Sequence, residues 1–240
     1  MRALSNADFL TLWENGRALH PLDQGLLIIH TALPEIESES VADWPVGRRN
    51  RALAELHCRY FGNALFGWTS CPRCGETLEF NMDGRPLAEQ RQPEQPEPIT
   101  IRGQSFRVPT SRDLALVAAE SDAGLDSLTA AMRLLSACCV GESEEIERTW
   151  SEQELDEAGE RMAAADPLAE IVIHFQCPVC EGSSEENLDL PAFLWTELEA
   201  LARRLALEIH TLASAYGWSE SEILSLRDAR RRLYLEMVRA

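Results

Sequence analysis

Apolar residues recur at helical spacing in three successive stretches at the start of the chain. FLTLWENG follows Ser5 and Asp8, which form a capping-box pair, and stops at Gly16. LDQGLLIIHTAL is a second apolar run. PVGRRNRALAELHCRYFG places Leu53, Leu56 and Tyr60 at helical spacing, with Pro45 in its first turn and a stop near Gly62. The pattern then changes period: ALFGWTS, ETLEFNMD, EIVIHFQ and EENLDLP favour strand, and Ile171, Ile173 and Phe175 alternate with Val172, His174 and Gln176. Between the two strand pairs, the proline-rich GRPLAEQRQPEQPEPI predicts an extended, solvated connector, and TIRGQSFRVP a short hairpin turning at Gly103. Helices are expected from the Thr110-Ser111 cap, over LDSLTAAMRLLSACCVG, and from Ser151 with Glu154 completing a capping box. In the last segment Phe193, Leu194, Leu198, Leu201, Leu205, Ile209 and Leu212 share one helical face, and Gly217 suits a left-handed cap. That helix would run for roughly seven turns. Ser219 with Glu222 restarts the chain, and Ser225 with Asp228 is expected to open a last helix.

These elements predict an α+β fold, mostly helical, with two C-P-x-C β-hairpins joined as a split zinc-ribbon-like β core and a long C-terminal helix. A single domain over 1–240 with an internal insertion accommodates them. Its parts are N-terminal helices (1–62), a first zinc hairpin (63–82), a linker (83–98), a hairpin and helical insertion (99–166), a second zinc hairpin (167–190) and C-terminal helices (191–240).

The chemistry of the chain concentrates in CPRC and CPVC. Zinc in a structural site takes four tetrahedral ligands, and a C-x-x-C turn delivers two thiolates at one corner. Cys71, Cys74, Cys177 and Cys180 therefore predict one closed, structural Zn²⁺ site. Pro72 and Pro178 pre-set the turns, and Gly75 supplies conformational freedom after the second thiolate. In the second unit Glu181 intervenes before Gly182, which predicts a looser turn. The separation of the pairs is longer than in a compact zinc ribbon. Three rivals stand beside this reading: a thioredoxin-like redox pair, separate sites recruiting His57, Cys58 or His174, and a site that has lost its metal. Cys138 and Cys139 fall in an apolar helical stripe and read as buried thiols.

Composition narrows the function. The 240 residues carry 40 acidic against 22 basic side chains, a formal net charge of −18, which repels phosphate backbones and anionic membranes. The chain contains no lysine, so neither a lysine Schiff base nor a phosphate-loop lysine is available. No apolar run approaches the ~18 residues of a membrane span, and the N-terminus lacks a secretory apolar region, so a cytoplasmic protein is expected. The acidic tract GESEEIERTWSEQELDEAGE reads as a solvated loop and helix face. His20, His30 and His210 show no spacing to a carboxylate or nucleophile, and no catalytic constellation stands out, so no enzyme is predicted. Arg230 and Arg231 beside Tyr234 suit forked hydrogen bonds to a partner's carboxylates, or simply a helix end balanced by its own charges.

Several segments together resemble a known family: DWPVGRRNRAL (Asp43 to Leu53), the two cysteine turns, RVPTSRDLA (Arg107 to Ala115) and, most specifically, FLWTELEALARRLALEIHTLASAYGWSESEILSLRDARRRLYLEMV. The chain is similar to small baseplate or hub-assembly proteins encoded with contractile phage tails and related contractile injection systems. The resemblance implies a non-enzymatic assembly chaperone or minor subunit, cytoplasmic or built into a tail-like particle, that binds hub, baseplate or spike proteins. Tyr216, Trp218, Arg230, Arg231 and Tyr234 are the candidate partner surface, with a buried role for the aromatics as the alternative. The class rival is a zinc-ribbon nucleic-acid or transcription module, which would need a basic face against the overall charge.

Overall fold

The computed structural model describes all residues except 37, 92, 122–125, 142–149 and 240. In chain order its elements begin with α1 (Asn6–Gly16), α2 (Pro21–Ala32), α3 (Ser38–Ala42), α4 (Val46–Tyr60), β1 (Ala64–Ser70), β2 (Thr77–Asp83), α5 (Arg85–Glu89), β3 (Ile99–Ile101) and β4 (Gln104–Phe106). They continue with α6 (Ser111–Ser121), α7 (Ser127–Ala137), β5 (Cys139–Val140), α8 (Glu152–Ala165), β6 (Val172–Gln176), β7 (Ser183–Asn187), α9 (Leu190–Tyr216), α10 (Glu220–Ser225) and α11 (Asp228–Arg239). The described chain is mostly helical, with small antiparallel sheets. The sequence reading takes the chain as one domain; packing groups it into two compact units, Met1–Glu35 with Ala192–Ala240, and Ile36–Pro191.

The first unit is helical, and its helix starts are chemically local. Ser5 and Asp8 form the expected reciprocal box at α1, and Ser219 and Glu222 do the same at α10. Phe9 and Leu12 of α1, Ile28 and Ile29 of α2, and Leu194, Leu198, Leu205 and Leu212 of α9 are buried. Gly16 is required by packing: a Cβ there would come within 2.4 Å of the Trp195 ring. Gly217 takes φ +69 at the end of α9, as a left-handed cap demands. Ser225 does not cap α11; its hydroxyl donates back to the Glu222 carbonyl.

In the second unit, β3 and β4 pair antiparallel through Arg102 and Gly103, both at positive φ, the geometry of a tight two-residue hairpin turn. Residues after α7 depart from the helical expectation. Cys138 is the helix C-cap, and Cys139 with Val140 pairs as β5 against β4, so the stripe that reads as helix to its end turns into an edge strand. Ile101, Phe106, Leu135, Leu155 and Ala158 form a core between this sheet and α7 and α8. The connector after β2 is also not wholly extended: Arg85–Glu89 is a short helix in contact with α4. The segment 142–149, the early part of the acidic tract, lies outside the described residues; α8 begins with the expected Ser151 and Glu154 capping box.

A buried polar network fastens the start of α4. Pro45 stands at the N-cap rather than in the first turn, and it offers no side-chain cap. The donors are satisfied from afar: Val46 N–H donates to the Pro109 carbonyl (3.1 Å) and Gly47 N–H to the Asp166 carboxylate (2.8 Å). Asn50 donates to the Leu168 carbonyl, while Arg49, only 4% exposed, donates to Asn50 and to the Ser111 hydroxyl. Burial pushes the Arg49 guanidinium down to about 10, and the nearby Asp189 and Asp166 charges oppose the fall. Asp113 caps Thr110 and accepts a two-pronged pair from Arg107 at 2.6 and 2.8 Å. Burial raises the Asp113 acid, but the Arg107 and Thr110 donors outweigh it and hold the carboxyl below its ordinary range.

A group depressed in the folded state stabilises fully above its unfolded pKa, about 3.9 for Asp, and loses that contribution as pH falls through the folded value. Asp113→Asn should therefore cost about 2 kcal/mol at neutral pH and flatten the fall in stability below roughly pH 4. Urea unfolding at pH 7 and pH 3 measures both; equal losses at the two pH values would contradict the assignment. Asp166→Ala, which strands a helix donor, should cost about 2 to 3 kcal/mol by the same assay.

Candidate metal centre

Each cysteine pair sits in a six-residue loop closing an antiparallel hairpin. In the first, Ser70 pairs with Thr77 across Cys71 to Glu76; in the second, Gln176 pairs with Ser183 across Cys177 to Gly182. The loops are hydrogen-bonded alike. Cys71 N–H donates to the Glu76 carbonyl at 2.7 Å and Gly75 N–H to the Cys71 carbonyl at 2.9 Å. Cys177 N–H donates to Gly182 at 2.9 Å and Glu181 N–H to Cys177 at 3.0 Å. The left-handed position is the fifth of each loop: Gly75 at φ +78 and Glu181 at φ +55. Counting from the first cysteine matches Gly75 with Glu181, not with Gly182, so the second turn is bonded as tightly as the first. Gly182 serves a different need, since a Cβ there would meet the Arg73 side chain at 2.7 Å.

The hairpins bring their cysteines together. Cys71 Sγ lies 3.6 Å from Cys180 Sγ, and Cys74 Sγ lies 3.6 Å from Cys177 Sγ. All four sulfurs fall within 4.8 Å of one another, and the group can hold a metal ion. These separations far exceed a disulfide's ~2.05 Å bond, and all seven cysteines are free of disulfides. Cys71 and Cys177 are buried, Cys180 is half-buried and Cys74 is exposed. A small apolar core backs the sulfurs, with Leu78 and Phe80 of β2 against Ile173 and Phe175 of β6. The Phe80 and Phe175 rings meet edge to face at 6.2 Å. Phe80 in turn lies over Gly67, where a Cβ would clash with its ring at 2.5 Å.

The thiols do not ionise alike. Backbone N–H groups of Arg73 and Cys74, with neighbouring thiols as donors, hold Cys71 down to about 6 against the opposing effect of burial. At Cys74 the Glu76 N–H favours the thiolate, yet burial and the three adjacent sulfurs push the thiol up to about 12. The ionised Cys71 and its neighbours thus oppose ionisation of Cys74, a conflict that a cation among the sulfurs would relieve.

The other residues weighed as ligands stand elsewhere. His57 is buried on α4, stacked on Phe61. Cys58 lies against Gly84. His174 projects from the exposed face of β6, 3.0 Å from Glu185. Burial raises the Cys138 thiol to about 12, and Cys139 accepts from the Gln104 amide. The candidate partner residues form one aromatic group: Tyr216 stacks on Trp218 at 4.6 Å, and Tyr234 meets Trp218 at 4.9 Å. Arg230 is exposed, but Arg231 is buried, bonded to Glu208 at 2.7 Å and Asp228 at 2.9 Å, so its charge is spent within the fold. The residues that sequence reading passes over are Phe66 and Trp68, exposed together on β1; their i, i+2 spacing is a signal for one strand face.

The positive φ at Glu181 carries a backbone cost that glycine avoids. Glu181→Gly should leave stability unchanged or raise it by up to about 1 kcal/mol, whereas Gly75→Ala should lower it by about 1 kcal/mol, since no neighbour within 4 Å adds a clash. Thermal melts of the two variants check this, and a stabilising Gly75→Ala would contradict the turn geometry. Comparison of the chain with protein families, with curated proteins and with solved structures finds no match, so the centre is read from its own geometry.

Proposed function

We propose that the chain is a non-enzymatic docking scaffold stiffened by one structural zinc ion. Its role would be that of an assembly factor or minor subunit of a contractile-tail baseplate, binding hub or baseplate proteins. The observation that carries the zinc reading is the convergence of four thiols from two hairpins on one point. Tetrahedral zinc with ~2.3 Å bonds to sulfur sets its ligands ~3.8 Å apart, close to the 3.6 Å between the paired sulfurs. The hairpins then act as the two halves of a split zinc ribbon. Four thiolates close the coordination shell and leave no position for a reacting water, which favours structure over catalysis. When bound, the ion supplies cross-linking: structural zinc contributes ~10 kcal/mol or more of apparent binding energy, comparable to a whole domain's net stability of ~5 to 15 kcal/mol.

The baseplate role is supported by the sequence resemblance, and two of the segments that carry it meet in the fold. Asp43 pairs with Arg112, Pro45 bridges Thr110, and Arg49 reaches Ser111. Docking is further supported by the C-terminal helices, where α9 and α11 border a groove of about 320 Å³ lined by Arg204, Leu207, Thr211, Arg232 and Leu235, with Leu233 and Met237 exposed on α11. The nucleic-acid alternative draws on the exposed Phe66 and Trp68 of the first hairpin as stacking platforms, but a charge of −18 opposes it.

The purified chain is expected to carry one zinc per molecule by elemental mass spectrometry. Cys71→Ser or Cys177→Ser should release it and lower solubility and melting temperature. Wild-type-like melting without any metal would refute the structural role. A pull-down from cells carrying the neighbouring tail genes should capture a hub, baseplate or spike protein; a salt-sensitive gel shift in its place would favour the nucleic-acid alternative.

A further inference from the structure

The two hairpins are alike in loop and register, yet their outer faces differ. On β6 and β7 the outward positions pair Val172 with Asn187, His174 with Glu185 and Gln176 with Ser183, and His174 and Glu185 satisfy each other. On β1 and β2 the outward positions hold Phe66 and Trp68, 56% and 70% exposed, opposite Asn81 and Glu79. The metal loops do not require these aromatics, because the second hairpin closes its loop without them. Neither ring has an aromatic or cationic partner among the described residues, and Glu79 has no ion pair or side-chain hydrogen bond there. Arg85, the cation that follows β2, is committed to Asp83. A broad indole beside an uncommitted carboxylate is the pairing that receives a cation from two sides, through the ring face and through the charge.

We propose that this face of the first hairpin docks a protein segment that presents arginine or lysine flanked by apolar residues. The cation lies between Trp68 and Glu79, and an apolar neighbour lies on Phe66. The chain's charge selects this occupant: −18 draws a basic partner in and repels both nucleic acid and a second copy of the same chain. The proposal rests on the docking-scaffold reading and adds the chemistry of one partner surface to it.

Short random peptides selected on the immobilised, zinc-loaded full chain test the idea, with individual winners titrated by fluorescence anisotropy against the wild type, Trp68→Ser and Glu79→Arg. Winners enriched in arginine or lysine beside apolar residues are expected, with affinity reduced about tenfold or more by either substitution. Both positions are exposed, and zinc content with far-ultraviolet circular dichroism verifies that each variant is folded. Acidic or uncharged winners, the absence of any peptide whose binding depends on Trp68, or displacement of the winners by oligothymidylate would overturn it. So would a self-association of the chain that Trp68→Ser abolishes. Such a failure, with zinc retained and a tail protein still captured by the wild type, removes this surface alone; loss of that capture removes the scaffold reading itself.

Discussion

Four sulfurs from loops more than a hundred residues apart in sequence meet within one ion's reach, and the two cysteine hairpins are organised around that meeting. Outside that meeting the first hairpin is anchored by Leu65 of β1, fully buried near Cys58 and Gly84, and the second by the buried Ile171 just before β6. Each is two-stranded, a form that is marginal alone in water, and the apolar contact between them amounts to Leu78, Phe80, Ile173 and Phe175. The site also carries a conflict, since the low Cys71 thiol and its neighbours oppose ionisation of Cys74. A cation among the sulfurs would relieve that conflict and cross-link the two hairpins.

The chain between the hairpins follows a different logic. It returns by way of a buried polar network in which Asp166, Pro109 and Leu168 serve the first turns of α4. Proline at the N-cap makes this necessary, because it leaves the helix without a local acceptor. The helix start is thereby tied to segments within the insertion and just after it, and the route from Cys74 to Cys177 is constrained as well as its ends. Buried polar groups satisfied in this way favour one arrangement over near alternatives.

The proposed docking role would be carried by exposed surfaces. The inner faces of the hairpins are consumed by the thiols and their apolar backing, which leaves the outer strand faces exposed. Of the C-terminal candidates, Arg231 is withdrawn into ion pairs, and the three aromatics spend much of their surface on one another, with Trp218 and Tyr234 packed against Leu212, Ile223 and Leu235. Phe66 and Trp68, by contrast, are used by nothing in the described chain.

Much of this was legible before any coordinates, where the cause is local. The capping boxes at Ser5, Ser151 and Ser219, the left-handed stop at Gly217, the turn at Gly103 and both C-P-x-C loops depend on residues within about one turn of each other, so their spacing in the chain is enough. The same holds for the one buried stripe of α9. What only the tertiary structure decided involves partners distant in sequence. Asp166 as the acceptor for α4, the strand at Cys139, the burial of Arg231 and the left-handed Glu181 answering Gly75 have no local signature. The two pairs of thiols read from their C-P-x-C spacing as two corners of one site, and the fold places all four together; how they meet depends on which apolar surfaces bury each other, and that is settled by the whole fold.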